Sequence, residues 1–179
     1  GGGSPEVRLG LGNGQVETID TVDGRLDVDL HTNTLFYVAG GTTEKTLKKY
    51  DTQQNKGVQS SLNDNLPWGY LHIDPTGHWM VSFWGGIGYS PLYLADRDKG
   101  LVTEVSFASW WPIDAIWSAD GEQLALVLSN QSESRLAVLN PQTLEWGFID
   151  LPVSAIYELD VCPGSSFILL KAASQAEPY

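Results

Sequence analysis

Apolar and polar positions alternate along most of this chain, in short runs broken by Gly, Asn, Asp and Pro. HIDPTGHWMVSFWGG (72–86) and IWSADGEQLALVLSN (116–130) both read as strand, tight turn, strand. Val, Ile, Leu, Tyr and Trp dominate the runs, as expected of side chains that pack on a pleated surface. No window of about a dozen residues carries apolar positions at i, i+3, i+4 and i+7 between caps, so the pattern predicts strands throughout and no helix.

The hairpin recurs. LHTNTLFYV, DPTGHWMVS, SADGEQLAL and VCPGSSFIL align on Asn33, Gly77, Gly121 and Gly164, at spacings of 44, 44 and 43 residues. Asn and Gly tolerate a positive φ, which a tight hairpin turn requires. A second landmark keeps the period: KKYDTQQNKG, YLADRDKG and AVLNPQTLE place Asp51, Asp96 and Asn140 where a third strand should end. Each unit therefore predicts a meander of four antiparallel strands. A four-stranded repeat of 43–45 residues is the period of a β-propeller blade, whereas leucine-rich and ankyrin repeats are shorter and need helices.

On these residues the chain resembles the repeats of TolB-like and WD-repeat-like propellers: DPTGHWMVSF, SADGEQLALV, SPLYLADRDKG and SRLAVLNPQTLE carry the likeness, which spans roughly residues 24–173. The resemblance implies an all-β propeller of about four four-stranded blades, approximately 24–64, 65–108, 109–150 and 151–179 together with 6–20. The last blade would be closed by both termini. AIYELDV and SFILLKAA supply two strands, and EVRLGLGNGQVETID supplies two more around an Asn13–Gly14 turn. Such closure removes exposed sheet edges. Two alternatives stay open: a piece of a larger propeller, or half of an eight-bladed dimer. Residues 1–5 read as a flexible tether, either a Gly-Ser linker or the segment that follows a lipid-carrying cysteine before Gly1.

Composition narrows the function. Acidic residues outnumber basic ones 22 to 10, a net charge of −12 that repels nucleic acid and anionic headgroups. No apolar run approaches the roughly 18 residues of a membrane span, so no direct membrane insertion is expected. The single cysteine, Cys162, sits in an apolar strand–turn context and reads as a buried inert thiol.

Candidate chemistry is sparse. His31, His72 and His78 come from the first two hairpins, and HIDPTGH offers His72, Asp74 and His78 at a spacing a metal could accept; on opposite sides of a turn their rings need not converge, and no metal is expected. The serines of GIGYS and PGSS lack the G-x-S-x-G context of a nucleophile elbow, and no helix opens after GGIG to cradle a phosphate. Neither a catalytic set nor a cofactor site is expected, and Asp64, Asp114 and Asp150 read as solvated turn residues.

The surplus is aromatic. Trp68, Tyr70, Trp110 and Trp111 lead into first strands, and Trp84 and Tyr89 flank the WGGIGYS loop, so these six are the candidate partner-binding residues at one mouth of the ring. Packing between blades is the competing use of the same rings. The function expected is a non-catalytic, extracytoplasmic propeller, periplasmic or lipid-anchored at the bacterial surface, serving a cell-envelope complex through a basic protein partner, with self-association through blade closure as a further option. The alternatives are a propeller gating a peptidase or other hydrolase, and a carbohydrate binder that stacks sugars on Trp.

Overall fold

The computed structural model describes residues 6–10, 16–21, 26–29, 32–40, 45–53, 56–59, 69–85, 88, 90–161 and 168–174, and every regular element among them is a strand. Gly1–Ser4, the Asn13–Gly14 turn, His31, Asp64, Trp68, Tyr89, Cys162, Gly164 and the PGSS serines lie outside the described residues.

The N-terminal hairpin is β1 (Glu6–Gly10) and β2 (Val16–Thr21). Sheet 1 follows with β3 (Leu26–Asp29), β4 (Thr34–Gly40), β5 (Lys45–Asp51) and β6 (Lys56–Gln59). Sheet 2 is β7 (Tyr70–Ile73), β8 (Trp79–Phe83), β9 (Leu92–Asp96) and β10 (Leu101–Val105). Sheet 3 is β11 (Trp111–Trp117), β12 (Leu124–Ser129), β13 (Ser134–Leu139) and β14 (Trp146–Ile149). The C-terminal hairpin is β15 (Val153–Val161) and β16 (Ile168–Ser174). Each of the three sheets is a sequential antiparallel meander, as the repeat predicts.

The turns behave as a repeat. Asn33, Gly77 and Gly121 have φ of 52°, 76° and 74°. Gly77 N–H donates to the Asp74 carbonyl at 2.9 Å, and Gly121 N–H donates to the Ser118 carbonyl at 2.9 Å. The side chains at these positions also match: Asp74 accepts the Trp79 N–H at 2.5 Å and the Ser118 hydroxyl accepts the Gln123 N–H at 2.9 Å. The third-strand landmarks are Asx turns. Asp51 accepts from Gln53 N–H at 2.8 Å, Asp96 from Lys99 N–H at 3.0 Å, and Asn140 from Gln142 N–H at 2.9 Å.

Side chains alternate between the two faces of each sheet, so consecutive sheets enclose successive cores. Phe36, Val38 and Leu47 of sheet 1 meet Leu71, Ile73, Met80 and Ala95 of sheet 2. The opposite face of sheet 2, with Val81, Phe83, Leu92 and Leu94, meets Ala115, Trp117, Leu124, Leu126 and Leu128 of sheet 3. Ala125, Val127 and Leu136 on the far face of sheet 3 then receive Ile156 and Leu159 of β15. Leu124–Leu128 is buried on both sides, which is why LALVL is an unbroken apolar run. The first strands β3, β7, β11 and β15 pack in succession along one axis.

Two polar ties hold neighbouring first strands in register. Asp27 accepts the Ile73 N–H, and Asp114 accepts the Leu159 N–H, both at 2.7 Å. Asp114 is thus a half-buried strand residue of β11 rather than the solvated turn residue expected, because its carboxylate replaces water for an inter-sheet amide. Asp150 does lie in an exposed turn after β14, 3.8 Å from Arg135.

The sheet shared by the two tails is not formed among the described residues. β1–β2 and β15–β16 are separate two-stranded sheets. Ile19 of β2 packs on Leu35, Tyr37 and Tyr50 of sheet 1, while β15–β16 rests on the far face of sheet 3, so three complete sheets stand between the hairpins.

Candidate functional site

Because strands alternate in direction, each sheet has two ends with different contents. The first-to-second and third-to-fourth strand turns gather at one end, the turn end. The second-to-third loops and the linkers between sheets gather at the other, the linker end. Tyr70, Trp84, Trp110 and Trp111 all sit at the linker end, at the start of β7, after β8 and at the start of β11. Sequence reasoning placed these four at a common mouth, and the topology brings them to that end.

They divide in environment. The Tyr70 ring stacks on Phe83 at 4.9 Å with planes 7° apart, and Phe83 lies 6.3 Å from the His72 ring. Two glycines let the linker and the loop cross here. A Cβ on Gly69 would come within 2.7 Å of the Phe83 carbonyl, and a Cβ on Gly85 would fall into the Tyr70 ring. Trp84, between Phe83 and Gly85, is 52% exposed. Its N–H donates to the Ser90 hydroxyl at 3.3 Å, which anchors the loop to a buried serine. Gly69–Tyr70 and Phe83–Gly85 therefore form a step with Tyr70 beneath and Trp84 outermost.

Trp110 serves packing between sheets 2 and 3, and Trp111 is buried, 8% exposed. Trp110 meets the Phe148 ring edge-on at 4.9 Å, Phe148 meets Trp146 at 5.4 Å, and Trp146 meets Phe107 at 5.1 Å. The Arg135 guanidinium caps Phe148 at 5.0 Å. The linker 106–110 thereby fills the wedge between sheets 2 and 3. Its aromatic partners Trp146 and Phe148 escaped the sequence reading, although W-G-F on one strand puts both rings on one face.

Beside the Tyr70 step, the first strands leave a cavity of about 300 Å³ lined by Tyr70, His72, Asp114, Tyr157 and Glu158 over an apolar floor. Tyr157 is 58% exposed at a bulge of β15. Glu158 lies 3.2 Å from Lys171. No local pattern marks Tyr157 or Glu158, since only the axial packing of first strands brings them to the same opening.

The turn end holds the buried charge. Asp29 is 1% exposed, and Arg97 of sheet 2 reaches across to it at 2.8 Å, with its guanidinium 4.7 Å above Phe36 and a further bond to the Gly77 carbonyl. Burial alone would raise the Asp29 carboxyl, but hydrogen bonds from Arg97 and Thr32 and the Arg97 charge hold it below the ordinary aspartate value. Asp96 follows the same logic: burial raises it, and Lys99 at 2.7 Å prevails and lowers it. His78 Nδ1 lies 2.6 Å from Asp98, whereas His72 lies with Tyr70 and Phe83, so the HIDPTGH residues do not converge. Among the described residues no group of three or more His, Cys, Asp or Glu is placed to hold a metal.

No protein-family model matches the chain, and no curated protein sequence matches it. Solved structures do. The chain superposes on TolB from Acinetobacter baumannii with a TM-score of 0.60 at 18% identity, covering 82% of this chain and 38% of that one. On a protein assigned as TolB from Agrobacterium tumefaciens the TM-score is 0.67 at 13% identity, covering 90% and 60%. Puromycin hydrolase matches with a TM-score of 0.61 at 16% identity, covering 83% and 25%. At these identities the likeness is one of fold, and the chain spans less than two thirds of each of these proteins.

Proposed function

We propose that this chain, whose fold is that of the TolB-like β-propellers, is a non-catalytic recognition module that binds a basic protein segment at the linker end, as an accessory subunit of an extracytoplasmic bacterial assembly. The observation that carries this reading is Trp84: a large ring half in solvent, on a loop that Gly85 and Ser90 fix against Tyr70. An ordered exposed Trp offers contact area at little entropic cost, as binding hot spots do. The net charge of −12 favours a cationic partner and speeds its encounter. The fold likeness to bacterial TolB proteins supports placement outside the cytoplasm.

Calorimetric titration of the full chain with Lys/Arg-rich peptides, Asp/Glu-rich peptides and neutral polysaccharides tests the reading. Saturable binding is expected for basic peptides alone, weakened about tenfold or more in Trp84→Ala, equivalent to about 1.4 kcal/mol. Saturation by polysaccharide alone, or peptide binding indifferent to Trp84, overturns it. The likeness to puromycin hydrolase supports a second reading, a propeller that gates a hydrolase. That role predicts activity only when the chain is joined to a catalytic domain.

A further inference from the structure

The first strands of the sheets are not built alike. β3 and β7 pair with their second strands in unbroken register, Leu26 to Asp29 against Thr34 to Tyr37 and Tyr70 to Ile73 against Met80 to Phe83. β11 and β15 are bulged. The β11 ladder with β12 skips Ile113, and the β15 ladder with β16 skips Ser154 and Tyr157. Ile113 and Tyr157 are 44 residues apart, one repeat, and β15 packs on β11, so these two bulges stand side by side. A bulge bends its strand and re-aims the side chains next to it. Here both bends border one opening.

That opening is the cavity of about 300 Å³ beside Tyr70. Ile113 belongs to its apolar floor, and Tyr157 stands at its rim, 58% exposed. Tyr70 and His72, with rings 6.4 Å apart, line it from sheet 2. Two carboxylates complete the lining, Asp114 and Glu158, each directly after a bulge and again 44 residues apart. No lysine or arginine stands among the described lining residues. Asp114 accepts the Ala115 N–H at 3.0 Å on one oxygen and the Leu159 N–H at 2.7 Å on the other. Both donors are uncharged, and each carboxylate oxygen can accept a second bond. Glu158 meets Lys171 at 3.2 Å, and both side chains are largely exposed, a pair weak enough to yield to another cation.

We propose that this axial cavity binds a small organic cation free in solution, an amine carried on an apolar body. The ammonium would meet Asp114 and Glu158, and the body would lie on the Ile113 floor between Tyr70 and Tyr157, whose ring faces favour a cation. The volume is at the lower bound of about 300 Å³ for sites that take whole small molecules, and one lysine side chain would leave much of it empty. Charge decides against the other classes. An anionic ligand would face two like charges, and a neutral sugar would leave both carboxylates without a counter-ion. The inference goes beyond the peptide reading, because it needs neither Trp84 nor a polypeptide.

Calorimetric titration of the full chain with phenethylamine, phenethyl alcohol and phenylacetate tests it. Saturable binding is expected for the amine, about tenfold weaker or worse for the alcohol, and absent for phenylacetate. Glu158→Gln should weaken amine binding about three- to tenfold, and Tyr157→Ala about threefold, with unchanged circular dichroism spectra because both side chains are exposed. In the wild-type chain the amine should shift the amide resonances of Ile113, Asp114, Tyr157 and Glu158 above all others, a readout that needs no variant. The amine and the basic peptide are titrated separately, so either site can fail alone. No saturation by phenethylamine at millimolar concentration, equal binding of amine and alcohol, or shifts confined to residues outside the cavity would each overturn the proposal.

Discussion

The turn end and the linker end of the same sheets are built on opposite principles. At the turn end the units repeat one device: a residue with positive φ, a side-chain acceptor shortly before it (Asp29 four residues before Asn33, Asp74 and Ser118 three before Gly77 and Gly121), and an Asp or Asn closing the third strand. The device also locks neighbours, since a Cβ on Gly77 would sit 3.0 Å from the Asp29 carboxylate of sheet 1 and one on Gly121 would overlap Asp74 of sheet 2. At the linker end the units differ: an exposed Trp84 on its glycine step in sheet 2, and a packed Phe107, Trp110, Trp146 and Phe148 cluster in sheet 3. Periodicity marks what every sheet needs in order to stand beside the next. Departure from it marks where one sheet is free to do something the others do not.

The largest effect should come from breaking the turn end. Gly121→Val combines a β-branched residue at φ 74° with overlap of the buried Asp74, and a loss of about 3 kcal/mol or more in chemical denaturation is expected. A loss under about 1 kcal/mol would mean that the inter-sheet lock is absent.

Next comes Arg97→Ala, which strands the carboxylate of Asp29 and should cost about 2–4 kcal/mol at neutral pH. Since the Asp29 carboxyl is held below its ordinary value of 3.8, its stabilisation is complete above that value and disappears as pH falls through the folded value. The gap in urea midpoint between wild type and Arg97→Ala should therefore narrow below about pH 3.8; a gap constant down to pH 2 would refute the pairing. Two smaller changes sharpen the linker end. Gly85→Ala pushes a methyl into Tyr70 and should cost about 1–3 kcal/mol while weakening peptide binding. Trp84→Ala should leave the melting curve within about 0.5 kcal/mol of wild type yet lose the binding, and a large stability loss instead would make Trp84 a packing residue.

Much of this was legible in the sequence. The strands, turn positions and Asx landmarks follow from local rules: which residues accept positive φ, which side chains cap a turn, and which alternate on a sheet. Tyr70, Trp84, Trp110 and Trp111, the described members of the aromatic set, share one end because strand direction alternates within a meander. Their division did not follow, since Trp84 and Trp110 both flank strands in sequence and differ only in what packs on them. Asp114 was misjudged for a similar reason. A lone Asp between Ile113 and Ala115 reads as a turn until the neighbouring first strand presents the Leu159 N–H.

Sequence by itself determined the four-stranded unit, its period and its turn chemistry, because each of these is satisfied by residues a few positions apart. Tertiary structure alone decided which rings are buried, that Asp29 meets a cation from the next sheet, and that the two tails seat on different faces instead of on each other. Those outcomes depend on contacts between residues one or more repeats apart, and such distances are set only when the sheets stack.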